Sequence, residues 1–191
     1  MRIIVLGATG LVGRAVAAAL EPRHDLVRVS RTSPVRADLA DPASLDALFE
    51  TAADAVVCCA ANVPLRPLAE LTDAQVLDDL RAKLLGQVAL VRRAAARLND
   101  GGSITLTGGT FTEPVPGSGL GALVNAGLEG FVRSAAAELP RGLRINAVSP
   151  GWISETLAAM GRTGGTPVAV VAEAYRALVE GDATGTTVVP R

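Results

Sequence analysis

An open α/β fold, a parallel sheet with helices on both faces, is the architecture this sequence predicts. Two observations carry the prediction. Short β-branched runs alternate along the chain with Ala/Leu-rich segments of helical period. A glycine-rich turn, Gly7-Ala8-Thr9-Gly10-Leu11-Val12-Gly13, sits where the first such run gives way to the first helical segment.

The first strand is expected over Ile3 to Leu6 and the first helix from about Leu11 to Leu20, with Pro22 just past it as a stop. A second strand runs near Leu26 to Val29. The link from Thr32 to Asp38 is compressed and leads to a helix opened by Asp41-Pro42, an N-cap followed by proline at the first helical position. Ala55 to Cys59 is apolar throughout, as strands buried on both faces are. A long helix is expected from about Thr72, its cap, to Leu98, and Asn99-Asp100-Gly101-Gly102 ends it. Ser103 to Thr107 is the next strand, and Gly117 to Leu139 contains the next helix. Leu143 to Val148, Val168 to Leu178 and Thr186 to Val189 complete the order as strand, helix and strand. No composition break, low-complexity tract or repeat divides the chain, so residues 1–191 are read as a single dinucleotide-binding domain.

Hydrophobic residues make up 49% of the chain, yet Gly, Arg or Asp interrupts every apolar stretch well before the roughly 18 positions a membrane span needs. The first apolar run is too short for a secretion signal and stops at the glycine turn. A formal net charge of −1 argues against nucleic acid or an anionic lipid surface as the main partner. Cys58 and Cys59 are neighbours on an expected strand and point to opposite faces, which disfavours a bridge between them; two free thiols fit a reducing cytoplasm. No cluster has metal-ligand spacing, and no metal is expected. His24 lies in the polar connection Glu21-Pro22-Arg23-His24-Asp25 and is expected at the solvated surface. Every basic side chain except Lys83 is arginine.

The glycine turn has the chemistry of a Rossmann-type dinucleotide site. The turn is tight, the backbone must approach a pyrophosphate, and the helix must pack on the sheet. The helix N-terminus then offers free N–H groups and the positive end of its dipole. The end of the second strand selects the nucleotide. An acidic residue there grips the ribose hydroxyls of NAD, and a basic one meets the 2′-phosphate of NADP. This chain has Ser30-Arg31-Thr32 and no acid until Asp38, which favours NADP(H).

With the turn from Gly7 to Gly13, with Ala37-Asp38-Leu39 and with Arg144-Ile145-Asn146-Ala147-Val148-Ser149-Pro150-Gly151, the chain resembles the short-chain dehydrogenase/reductase superfamily from residue 1 to about 156. It looks closest to a compact, atypical branch. The resemblance implies a doubly wound, seven-stranded parallel sheet and a nicotinamide nucleotide. It also implies a homodimer or homotetramer assembled through the two long helices. Asp38 and Leu39 would flank the adenine, and Cys59-Ala60-Ala61 would lie beside the cofactor. Pro150 and Gly151, followed by Trp152 and Ile153, would run along the nicotinamide.

The catalytic positions depart from the family's pattern. Family members use a serine after the fifth strand and a Tyr-x-x-x-Lys pair on the next helix, with an asparagine on the preceding long helix. Alignment places Gly109 at the serine, Gly121 at the tyrosine, Asn125 at the lysine and Lys83 at the asparagine. Lysine and asparagine have exchanged places, so an ammonium from the other helix is expected to occupy the same volume. A buried lysine shifts its pKa readily and arginine does not deprotonate, which makes Lys83 and Asn125 the leading catalytic candidates. Thr107 or Thr110 is a candidate to orient a substrate oxygen. The fifteen or so residues from Trp152 to Pro167 form a short glycine-containing cap. Three function classes are compatible with these features. They are an NADP(H)-dependent oxidoreductase acting on a small carbonyl or alcohol, a non-redox enzyme (isomerase, dehydratase or cyclase) on the same scaffold, and a nucleotide-binding regulator.

Overall fold

The computed structural model describes residues 1–60 and 62–191. Strand β1 (Arg2–Leu6) feeds the glycine turn and helix α1 (Leu11–Leu20), and β2 (Asp25–Ser30) follows. A seventh strand, β3 (Val35–Arg36), lies inside the compressed link after β2; it is too short to leave a periodic signal. Pro42–Phe49 forms a 3-10 helix, with the Asp41 side chain accepting from the Ala43 N–H. Then come β4 (Ala55–Cys58), a helical run over 73–97, β5 (Ser103–Thr107), α4 (Gly119–Ala135), β6 (Arg144–Val148), α5 (Ser154–Ala159), α6 (Val168–Glu180) and β7 (Thr187–Val188).

All neighbouring strands are parallel, in the order β3-β2-β1-β4-β5-β6-β7. Side-chain alternation along each strand divides the apolar residues between two cores. Ile4 and Leu6 join Leu45, Phe49, Leu90, Ala94, Leu128 and Val132 on one face. Ile3 and Val5 join Val16 and Leu20 of α1 and Val171 and Tyr175 of α6 on the other. The chain leaves β1 toward β2 and β3, then returns to lay β4 on the other side of β1. That reversal opens a crevice beyond the carboxyl ends of β1 and β4, where ligands of open α/β sheets bind.

The run over 73–97 is not the uniform helix the sequence suggests. It comprises α2 (Asp73–Asp79), a π-helical segment Leu80–Leu85 and α3 (Gly86–Arg97). Thr72 and Gln75 close a capping box at its start. The Gly86 N–H reaches back five residues to the Arg81 carbonyl. At Gly86 the run passes so close to the Leu39 backbone that a Cβ would lie 2.5 Å from its carbonyl oxygen. Single π turns inside α-helices are frequent at functional sites, and this one carries Lys83.

His24 also departs from expectation. Its side chain is only 9% exposed, with Nε2 3.1 Å from Glu180 at the end of α6. Helix α1 packs along α6, and the turn after α1 brings the imidazole beside Glu180, which also pairs with Arg23 and Arg176.

Candidate active and cofactor site

The glycine turn is built for close approach. Gly7 has φ of +83°, and a Cβ on it would lie 2.6 Å from the Ala60 backbone nitrogen. A Cβ on Gly13 would lie 2.1 Å from the Gly7 carbonyl oxygen, so α1 packs directly on the turn. The Gly10 cap supplies no side-chain bond, and the first turn of α1 holds no acidic residue. The N–H groups of Leu11, Val12 and Gly13 have no backbone partner among the described residues. That is the arrangement of an anion site at a helix N-terminus.

A cavity of about 530 Å³ extends from this turn across the sheet edge. Gly7, Thr9 and Gly10 line it at one end and Ser30, Arg31, Thr32, Asp38 and Leu39 at the other, with Cys59, Ala60 and Asn62 between. Arg14 donates to the Thr9 carbonyl at 2.9 Å across the turn. The Ser30 hydroxyl is committed to its own loop, accepting from the Thr32 and Ser33 N–H groups. Arg31 is left exposed at the rim. Of the remaining residues expected at the nucleotide, Ala8, Leu11, Val12 and Gly13 shape the turn and the helix start without lining the cavity. Ile153 pairs with Thr166 in the cap instead of facing either cavity. Ala61 lies outside the described residues.

A second cavity, about 380 Å³, opens beside the first, and Asn62 lines both. Its polar lining includes Lys83, Asn125 and Thr110; Pro150, Gly151 and Trp152 form one side, and Leu65, Phe111 and Met160 supply apolar wall. The wall residues are fixed from two directions. The Arg66 N–H donates to the Gly117 carbonyl, and its guanidinium pairs with Asp79.

Lys83 and Asn125 meet here. Lys83 Nζ donates to Asn125 Oδ1 at 2.8 Å and to the Gly108 carbonyl at 3.1 Å. An ammonium has three N–H groups, so one remains for the cavity that Lys83 lines. Burial pushes the Lys83 pKa down to about 8. Cys58 is pushed up to about 12 by burial and stays a thiol. The Asn125 Nδ2 group sits over Gly109, where a Cβ would come within 3.0 Å of it.

Gln87, one helical turn beyond Lys83, escapes sequence reasoning although its i+4 spacing from Lys83 marks it. It is fully buried and donates to the carbonyls of both Lys83 and Thr107, while its Oε1 accepts from the Thr107 N–H. Gln87 thereby ties the π turn to the end of β5. Thr107 is not where a substrate-orienting hydroxyl is needed. Its Oγ1 bonds the Cys58 carbonyl and the Tyr175 hydroxyl, on the α6 side of the sheet. Thr110, three residues on, does line the second cavity. Among the described residues no group of three or more His, Cys, Asp or Glu side chains is placed to hold a metal ion, and no helix is long and apolar enough to cross a membrane.

A family profile described as enoyl-(acyl carrier protein) reductase matches residues 9–186. Among solved structures, the protein lin1944 from Listeria innocua is 34% identical, with 99% of this chain and 98% of that chain covered and a TM-score of 0.94. A small-chain dehydrogenase is 28% identical over 99% and 95% of the two chains, with a TM-score of 0.84. A small-chain dehydrogenase solved in complex with NADPH is 26% identical, covers 99% and 95%, and gives a TM-score of 0.86. No curated protein matches the chain. Sheet order, glycine turn and profile agree, and the chain belongs to the short-chain dehydrogenase/reductase superfamily, a family of oxidoreductases.

Proposed function

We propose that this protein is an NADP(H)-dependent oxidoreductase that interconverts a small carbonyl compound and its alcohol through a rebuilt proton-transfer site. The unpartnered N–H groups of α1 and the close backbone approach at Gly7 and Gly13 fit a pyrophosphate. Arg31 at the far rim suits a 2′-phosphate. A relative solved with NADPH supports the same choice. The nucleotide would supply or accept the hydride.

One observation carries the catalytic reading. Lys83 Nζ has two fixed acceptors, Asn125 Oδ1 and the Gly108 carbonyl, and lines the cavity with its remaining valence. A neutral amine has two N–H bonds and a lone pair. Lys83 therefore keeps both hydrogen bonds when it gives its third proton to a developing alkoxide, and its lone pair can take the proton back in the reverse direction. A pKa near neutrality suits that traffic. Asn125 orients the amine through Oδ1, and its Nδ2 together with the Thr110 hydroxyl is available to the substrate oxygen. Gly109, Gly121 and Asn125, aligned with the family's serine, tyrosine and lysine, leave no other proton donor at those positions. The exposed Leu85 and Leu123 on the helical run and on α4 support pairing of two copies through these elements.

The test is calorimetric titration with NADPH and NADH, followed by NADPH oxidation with a carbonyl panel. The expected result is NADPH preferred over NADH, the preference removed by Arg31→Asp. Lys83→Arg and Lys83→Met should each lower turnover by about 100-fold or more with NADPH affinity retained. Unchanged turnover in both variants removes Lys83 as the proton donor.

A further inference from the structure

Gly121 lies in the first turns of α4 and is buried. A Cβ built on it lies 3.4 Å from Cε2 and 3.5 Å from Cζ of Phe111. The Phe111 ring therefore fills the space a larger side chain at position 121 would enter. Phe111 comes from the loop after β5, two residues beyond Gly109, and is half-buried. It also lines the second cavity, with Leu65, Trp152 and Met160 as further apolar wall and Lys83 and Asn125 as polar lining. One part of the ring is thus held against α4 while another bounds the volume next to the reactive amine. No carboxylate is among the described lining residues.

We propose that Phe111 is the specificity-determining residue of this cavity, setting its size on the α4 side and selecting a compact, uncharged carbonyl compound with an apolar body. This rests on the reading of the cavity as the substrate site. Phe111 can act this way because Gly121 has no side chain: the ring takes up space within α4's reach and the cavity stops at the ring. Removing the ring joins the space over Gly121 to the cavity, so larger carbonyl compounds reach Lys83. Apolar pockets discriminate by such volume differences, at about tenfold or more for each added group that must be housed.

Trp152 is the only tryptophan of the chain and lines this cavity, so its fluorescence reports occupancy without turnover. The probes are cyclohexanone and the bicyclic 1-decalone, titrated against wild type, Phe111→Leu and Phe111→Ala, with quenching of free N-acetyltryptophanamide subtracted. Wild type should saturate with cyclohexanone and bind 1-decalone weakly. The ratio of the two affinities should shift toward 1-decalone by about tenfold or more in Phe111→Ala and by less in Phe111→Leu. A second arm reads the position of the ring through stability. Gly121→Leu should lower Tm in wild type and lower it far less in the Phe111→Ala background. An unchanged size order in Phe111→Ala, with NADPH oxidation by wild type intact, overturns the inference alone. Equal Tm losses from Gly121→Leu in both backgrounds overturn it as well. Absence of saturable quenching by either ketone in wild type overturns it together with the reading of the cavity.

Discussion

Lys83 Nζ donates to Asn125 Oδ1 at 2.8 Å, from the π turn of one helical run to the face of α4, and both side chains are only 6% exposed. Neither this partner nor the Gly108 carbonyl carries a charge. Burial without a counter-charge is what brings the Lys83 pKa down to about 8. The pair holds an amine in one orientation while leaving its protonation adjustable.

The pH dependence of turnover follows. Carbonyl reduction requires the ammonium, so its kcat/KM should fall as pH rises through about 8. Alcohol oxidation requires the neutral amine and should rise through the same value. Profiles measured in both directions, about two units either side, check this. Flat profiles in that window exclude Lys83 from proton transfer.

The same shift has a signature in stability. Lys83 titrates near 8 in the folded chain and near its ordinary value, about 10.4, in the unfolded chain. Below 8 both states hold the proton and the full cost of burying the charge is present. Between the two values the unfolded state binds more protons, so stability rises with pH. Relative to Lys83→Met, wild type should gain up to about 3 kcal/mol between pH 7 and about 10. Urea unfolding at the two pH values measures the gain. A constant difference means that folded and unfolded chains bind the same number of protons, so the buried amine keeps its ordinary pKa.

Gln87 positions Lys83 without touching the cavity. Gln87→Leu unpairs the Thr107 backbone and the Lys83 carbonyl at once, which should cost about 2–3 kcal/mol in urea unfolding. A merely structural role ends there. A positioning role also lowers kcat with KM little changed and moves the pH profile, because the π turn that carries Lys83 is no longer tied to the end of β5. Steady-state kinetics across pH distinguish the two.

Much of this was legible in the chain. The alternation of apolar runs and helical periods is a direct record of burial, so the strands and the layer order could be read from it. Gly7 and Gly13 stand where a Cβ cannot, and that constraint is written in the residue identity. The π turn was not legible, because Leu80 to Leu85 keeps the composition of an ordinary helix and only the position of Leu39 shows why the run passes so closely. Thr107 misled for a related reason. Both faces of a central strand are buried, so sequence does not tell whether a threonine there turns toward the α6 side or toward a cavity. Phe111 gave no signal because its role depends on the missing side chain of Gly121, ten residues away.

Thr107 then has a structural prediction of its own. Thr107→Val removes the bonds to the Cys58 carbonyl and the Tyr175 hydroxyl and leaves both buried groups unpaired. Stability should fall by about 1–3 kcal/mol, with NADPH affinity within error of wild type. A tenfold loss of turnover at unchanged NADPH affinity returns Thr107 to the substrate site.

The glycine turn separates folding from binding within four residues. Gly13→Ala puts a Cβ 2.1 Å from the Gly7 carbonyl, and backbone must move to make room. Stability should drop by more than about 2 kcal/mol, with NADPH binding lost as the turn is displaced. Gly10 is different. Its φ is −74°, which any residue adopts, and a Cβ there meets only the Gly7 carbonyl at 3.4 Å. Gly10→Ala should therefore change Tm little. Yet Gly10 lines the cavity at the head of α1, where the unpartnered N–H groups gather, so the added methyl stands where a pyrophosphate must approach. NADPH affinity should fall about tenfold or more, equivalent to about 1.4 kcal/mol, in a protein as stable as wild type. Retained affinity in Gly10→Ala means that the pyrophosphate does not approach Gly10, and the placement of the phosphates at this turn falls with it.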